Sequence, residues 1–320
     1  MAPSKKVRGI VAASLAGSLL TIGLVTARSG SGAGDFGYAF MAARWLLSGA
    51  DPYAAMDPSA PYGRGGPFLY PLPAAVVAAP FAPFPPNVAA VAFLALGIGI
   101  FAYAITARGW WGLLALASAP AVMTVMSVNW GFLLVSAALL PGLTWLAAVK
   151  PNLGLVALGY RWNWRSAAAC IGFGALTLLA LPSWPLSWLS HLQRQPVAHV
   201  PILLWPFGAL GLVGLLRWRT PEGRALLTYT LVPVSIVPSD HMMLWLIPQT
   251  WREMIALTAS SWLLLPVLLG FIPGADPVPP ATVRLLSVVA LIVPCAVIVW
   301  RQKNERAIPG ALSAPASSSE

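Results

Sequence analysis

The chain has few carboxylates. Its 320 residues hold nine Asp and Glu against nineteen Lys and Arg, and charged residues of both signs make up only 9% of the whole. Soluble domains carry roughly a quarter charged residues, so this composition excludes a large water-facing domain. Cysteine is scarce as well: Cys170 and Cys295 stand inside apolar runs, without disulfide or thiolate-metal spacing, and read as small packing residues. The chemistry of soluble enzymes is also missing. The sequence has no P-loop, no HExxH and no nucleophile elbow, and the glycines of GFGALTLL near Gly172 lack the strand–turn–helix context of a dinucleotide site. The spread-out aspartates form no tight cluster for a metal. No cofactor is therefore expected, and a divalent ion is left open.

What is present is hydrocarbon. Hydrophobic residues make up 58% of the chain, which predicts an all-α, polytopic transmembrane helical bundle of about 8 to 11 membrane segments at about 20 residues per crossing. A single transmembrane domain is expected over residues 1–307, followed by a disordered Ala/Ser/Pro-rich tail over 308–320. Apolar runs that span or nearly span are Gly9–Thr26, Asn87–Ala107, Trp110–Ser127, Gly131–Val149, Ser166–Leu181, Pro201–Leu216, Ala225–Val237, Ile255–Phe271 and Arg284–Trp300. The first reads as an uncleaved helix behind Lys5, Lys6 and Arg8. Phe68–Phe84, with four prolines, and the eleven-residue run His241–Trp251 read as broken or re-entrant segments.

Net charge of +10 reads here as topology. With a cytoplasmic N-terminus, an outer loop over about 27–67, one net crossing over Phe68–Ala107 and a broken hairpin over Ala225–Trp251, fourteen of nineteen cations are cytoplasmic. Lys150, Arg108, Arg161 and Arg224 are among them. Arg28, Arg44, Arg64, Arg194 and Arg284 fall outside, as do all three histidines.

The polar stretch Ser29–Gly66 is where chemistry is expected, because it gathers Asp35, Asp51 and Asp57 beside a membrane boundary. Phe36, Phe40, Ala43 and Leu47 recur at helical spacing and Gly49 follows, predicting an interfacial amphipathic helix with Asp35 as N-cap and Gly49 at its C-terminal end. Asp51-Pro52 and Asp57-Pro58 read as turns. Tyr53 and Tyr70 offer aromatic faces, for a ligand or for an interfacial belt. His191 and Arg194 lie one helical turn apart, and with Arg44, Arg64 and His241 they are candidates for an anionic group or for headgroup contact. Asp240-His241 reads as a buried pair bracing the hairpin or as a catalytic dyad. Asn129 sits at an outer tip.

The order of these segments resembles glycosyltransferase family 87, the polyprenol-phosphate-mannose-dependent mannosyltransferases of the GT-C membrane fold. The matching stretches are GDFGYAFMAARWLLSGADPY, FLYPLPAAVVAAPFAPFP, VKPNLGLVALGYRWNWRSA and VPSDHMMLWLIP, running from about Val7 to Pro248. The resemblance implies a membrane glycosyltransferase, in a bacterial plasma membrane, moving a sugar such as mannose from a polyprenyl-phosphate donor to a lipid or glycan acceptor on the extracytoplasmic face. Nucleic acid is not an expected partner. By the same resemblance Asp35 matches the acidic base of the first outer loop. Arg64, His191, Arg194 and His241, with Arg44 behind them, are the cations available to the donor phosphate. Where family members often have Gly-Gln, this chain has Asn129-Trp130-Gly131, and Asn129 could supply the amide. A transporter or flippase of lipid-linked intermediates, or a non-catalytic scaffold, is the alternative.

Overall fold

Lys5, Lys6 and Arg8 open a 22-residue apolar helix, Lys5–Thr26, which packs antiparallel along the 20-residue helix Pro86–Ile105. Arg8 donates to the Tyr103 carbonyl through Nε (3.0 Å) and Nη2 (2.5 Å) and lies over the Tyr103 ring. Farther along, Ala16 meets Gly99 and Gly23 meets Val91. Small residues at such crossings let the backbones approach, the usual device where no hydrophobic effect drives helices together. These observations come from a computed structural model of the protein that describes residues 3–26, 34–56, 66–194, 198–235, 238–270, 276 and 278–302, without the side chains of Arg194 and Ala198. The predicted tail 308–320 lies outside the described residues.

The chain is an all-α bundle. Among the described residues only two strands of two residues each occur, β1 (Ala198–His199) and β2 (Val234–Ser235), paired antiparallel. Among the described residues four helices are long and apolar enough to cross a membrane: Lys5–Val25, Pro86–Arg108, Trp251–Leu269 and Pro280–Arg301. Leu72–Phe81 and Phe207–Leu216 are shorter apolar helices. Ser166–Leu181 forms one shorter helix, Trp164–Thr177, and the other apolar runs are broken. Trp110–Ala117 is a 3₁₀ stretch that ends at Ser118, whose hydroxyl accepts from Ala121 N to start the helix Ala119–Met126. In the last long helix a π turn at Val288–Ile292 precedes Pro294, which lacks the N–H of a regular α ladder.

Two segments turn back on themselves. Gly131–Val149, expected to cross, descends as a helix over Gly131–Leu139, breaks at Leu140-Pro141 and returns as a 3₁₀ stretch over Pro141–Val149. Both ends reach the same carboxylate: Asn129 and Lys150 each contact Asp35. The physical reason is Pro141-Gly142, which removes a backbone donor and interrupts the ladder at mid-run. Lys150 consequently lies with Asp35 and not with the basic connections, so it leaves the group of cations assigned to the cytoplasm.

The second hairpin, expected over Ala225–Trp251, is observed. It rises as the helix Pro221–Leu231, turns at β2 and descends as the 3₁₀ stretch Pro238–Leu246. Its two feet gather at Tyr160, whose carbonyl accepts from Arg224 (3.3 Å) and whose hydroxyl accepts from Arg108 (2.5 Å). Arg108 also reaches the carbonyls of Trp245, Leu246 and Pro248. The bundle thus has an arginine end, with Arg8, Arg108, Arg161 and Arg224, and an opposite end with Asp35, Lys150 and Asp240.

Candidate functional site

Asp35 is fixed by its backbone first. Its amide donates to the Ser127 carbonyl at 2.7 Å, and that of Phe36 donates to the Val128 carbonyl at 3.0 Å. This contact explains the preceding glycine. Gly34 has φ +55°, and a Cβ there would lie 2.2 Å from the Ser127 oxygen. Val128 is itself held at φ +47°, a left-handed conformation that costs a β-branched residue about 1–2 kcal/mol. The turn is therefore over-determined by its neighbours, as strained backbone must be to persist.

Phe36–Leu47 is helical as expected, with Phe36, Phe40 and Ala43 buried, and Gly49 adopts φ +80° as the chain leaves it. The expected capping role of Asp35 is not observed: its side chain makes no cap hydrogen bond. Oδ2 instead accepts from the Tyr70 hydroxyl, in a short contact, and from Asn129 Nδ2 at 2.6 Å. Lys150 Nζ stands 3.9 Å from the same oxygen. The carboxylate leaves the helix end because these donors, on three other segments, converge beside it. Only 14% of the side-chain surface of Asp35 and of Lys150 is exposed.

Lys150 joins this carboxylate to a second. Its ammonium donates to Asp240 Oδ1 at 2.6 Å, and Asp240 Oδ2 accepts from the Ser235 amide at 3.0 Å. Burial works against charge on Lys150, but the coulombic pull of Asp240 and Asp35 exceeds it and holds its pKa above the ordinary lysine value. Asp240 is fully buried, so the triad satisfies the rule that charges in low dielectric come paired and hydrogen-bonded. His241 follows on the hairpin tip, and its Nδ1 shares a short hydrogen bond with the Tyr229 hydroxyl.

A second layer supports the first. The Tyr53 hydroxyl donates to the Tyr70 carbonyl at 2.8 Å, and the Tyr53 ring meets Phe68 and, edge-on, His191 at 5.6 Å. Asp51 accepts from Tyr53 N at 2.8 Å, the turn role read from Asp51-Pro52. Trp188 Nε1 donates to the Leu69 carbonyl. Around Tyr70 and Asp35 the rings of Phe36, Phe93 and Trp130 form an aromatic wall, with Phe36 stacked on Phe93 at 4.1 Å.

Of the sequence-derived candidates, the structure brings together Asp35, Tyr70, Asn129 and Asp240, with Tyr53, His191 and His241 behind them. Arg44 does not join. Nine residues along its helix from Asp35, it donates to the carbonyls of Ala82 (3.0 Å) and Phe84 (3.2 Å) and lies over Phe40. Unsatisfied carbonyls past Leu72–Ala78 take the guanidinium. Arg64 and Asp57 lie outside the described residues, and so does the side chain of Arg194, which leaves its pairing with His191 undescribed. Lys150 and Tyr229 are side chains of the candidate site that the sequence reading missed. A signal for Lys150 existed: it is a lone lysine before proline between two apolar runs, unlike the clustered arginines.

On the segment that meets Asp35, Asn129 Oδ1 and Trp130 Nε1 are buried without a hydrogen-bond partner among the described residues. Buried polar atoms in native proteins are nearly always paired, so these two are exceptions that call for an explanation. Among the described residues no group of three His, Cys, Asp or Glu side chains could hold a metal ion. Two surface grooves, one lined by Leu210, Val213, Val293 and Trp300 and the other by Pro141, Asn163 and Arg165, do not include Asp35, Lys150 or Asp240. Comparison of the chain with family models, curated proteins and solved structures returns no match.

Proposed function

We propose that the protein is an integral membrane glycosyltransferase that moves a sugar, mannose in the leading case, from a polyprenyl phosphate to a lipid or glycan acceptor. The observation that carries this reading is the Asp35 carboxylate, held by Tyr70, Asn129 and Lys150 beside the unpartnered Asn129 oxygen and Trp130 N–H. The likeness of the chain's motif order to glycosyltransferase family 87 supports the same reading. In this reading the arginine end faces the cytoplasm of a bacterial cell, consistent with the positive-inside rule.

The reaction is a single inverting displacement. Asp35 takes the proton of the acceptor hydroxyl as its oxygen attacks the anomeric carbon, and the bond from that carbon to the phosphate oxygen breaks with its electron pair leaving on the phosphate. A base needs hydrogen-bond reach to the hydroxyl, and the departing charge needs a preorganised cation. Lys150, within ion-pair distance of Asp35 and neutralised on its far side by Asp240, supplies that cation. Asn129 and Trp130 orient the sugar or acceptor hydroxyls.

The test is Asp35→Asn in membranes supplied with labelled polyprenyl-phosphate mannose. The amide oxygen still accepts from Tyr70, so the fold persists while the base is lost. Sugar transfer is expected to fall about a thousandfold, the middle of the range for loss of a general base. Normal transfer by a well-folded variant sinks the assignment and leaves the bond set as a structural tie.

A further inference from the structure

The groove between the helices Phe207–Leu216 and Val293–Arg301 takes no part in the Asp35 site. Its volume is about 430 Å³, and Leu210, Val213, Val293, Val297, Trp300 and Arg301 line it. Ligand pockets usually measure about 300–1,000 Å³. Leu210, Val297 and Trp300 are exposed, so the groove opens sideways from the bundle. It belongs to the arginine end: Gln302, next to Arg301, donates to the Ile247 carbonyl at 3.2 Å, between the Leu246 and Pro248 carbonyls that Arg108 holds.

Both walls run from apolar residues to a cation. Val293, Val297 and Arg301 recur every four residues on one helix face, and Arg301 ends the apolar helix Pro280–Arg301, which is long enough to cross a membrane. Leu210, Val213 and Arg217 follow at spacings of three and four on the other wall. Arg217 Nη2 donates to the Trp300 carbonyl at 3.0 Å, which brings the two arginines to one rim. Glu222, the acid nearest to Arg217 in sequence, is buried. Trp300-Arg301 is one of four Trp-Arg pairs in the chain. In the other three the guanidinium of Arg165, Arg219 or Arg252 lies over the ring of the preceding Trp, at 5.7, 5.9 and 5.3 Å. The Arg301 guanidinium has no ring contact, hydrogen bond or ion pair among the described residues.

We infer that this groove holds an anionic phospholipid of the leaflet at the arginine end, with an acyl chain along Val293 and Val297 and the headgroup phosphate on Arg301, beside Arg217. Two properties of the groove select this occupant. Its apolar wall runs about 12 Å from Val293 to Arg301 at the helical rise, which an acyl chain covers and a soluble anion does not. Its rim carries a guanidinium fork suited to a phosphate, in the position where basic pockets between membrane helices take anionic headgroups. Trp300 stands at the same level, as indoles do at the membrane–water boundary. A second copy packed groove to groove would set Arg301 against Arg301, so charge disfavours it. The groove and Asp35 are at opposite ends of the bundle, and the inference does not depend on Asp35 being a base.

The experiment is native mass spectrometry of the purified full chain in detergent, titrated with phosphatidylglycerol, with phosphatidylcholine of the same acyl chains, and with glycerol phosphate. The wild type is expected to bind phosphatidylglycerol about tenfold more tightly than phosphatidylcholine, and glycerol phosphate least. Arg301→Gln should weaken phosphatidylglycerol binding about tenfold, the loss of one charge-assisted bond, and leave phosphatidylcholine binding nearly unchanged. Arg301→Lys should restore part of the preference. Val297→Trp keeps the charge but fills the groove, so it should weaken both lipids together. It also keeps the inference open to test should Arg301→Gln not fold. Equal binding of the two lipids by the wild type, or glycerol phosphate binding as tightly as phosphatidylglycerol, overturns the inference. So does lipid binding that neither Arg301→Gln nor Val297→Trp alters, and so does a dimer mass that Val297→Trp abolishes, which would give the groove to a second copy.

Discussion

The two ends of the bundle use cations in opposite ways. At the arginine end guanidinium groups are spent on backbone: Arg8 on Tyr103, Arg161 on Ala138 and Leu139, Arg224 on Gly159 and Tyr160, Arg108 on the carbonyls that close the second hairpin. None of these is in an ion pair within 4 Å among the described residues. At the other end a lysine lies between two carboxylates, and its bonds are side chain to side chain. A forked, permanently charged donor suits rows of helix-end carbonyls, while a compact ammonium suits a point between two acids. The arginine end therefore holds the bundle together, whereas the lysine end concentrates charge at a place that gains nothing structural which leucines would not supply.

The strongest way to break this contrast is Lys150→Met. It leaves Asp240 buried without its counter-charge and should destabilise the protein by about 3–5 kcal/mol, the cost of removing one partner of a buried pair. Thermal unfolding reads it, and adding Asp240→Asn should recover part of the loss. A stable single variant would mean that the triad contributes no charge pairing. Next comes Gly34→Ala. The φ of +55° and the 2.2 Å approach to the Ser127 oxygen predict a loss of about 2 kcal/mol, with the proposed sugar transfer falling further than stability because Asp35 moves.

At the arginine end, Arg161→Gln removes bonds to Ala138 (3.0 Å) and Leu139 (2.5 Å) and should cost about 1–3 kcal/mol. Transfer per folded molecule should remain unchanged. A selective loss of transfer would erase the distinction between the two ends. A further effect is in pH. Burial, and then the Arg284 charge, push His199 from 6.5 down to about 4, with Asp240 opposing. Between those values the unfolded chain binds a proton that the folded chain does not, so stability falls as pH drops through this window. His199→Gln should flatten that part of the melting-temperature profile.

The bundle itself was legible in composition, and the Phe36–Leu47 helix in its period and in Gly49. The broken hairpin was readable because its proline and its length both argued against a crossing. Asp35, Tyr70 and Asn129 could be nominated singly, by polarity beside a membrane boundary. What sequence could not reveal was the partnership. Gly131–Val149 has the length of a crossing, and its apolar content outweighed the Pro141-Gly142 break, so Lys150 went to the wrong end. Arg44 looked like a ligand-facing cation because nothing local indicates that the carbonyls of Ala82 and Phe84 are waiting for it. Asp35 looked like a cap because capping is the local option, and its actual partners are remote.

That remoteness has a consequence for how the protein is made. Asp35 meets Asn129 across 94 positions, and Lys150 meets Asp240 across 90. Contacts of such separation form late, after loop-closure entropy has been overcome. During synthesis the first carboxylate must wait in or beside the bilayer until the first hairpin delivers its amide and its ammonium, and that ammonium must wait for the second. The completed triad is thus a signature of a fully assembled chain, and a nascent chain halted before Asp240 would hold Lys150 and Asp35 with one counter-ion each.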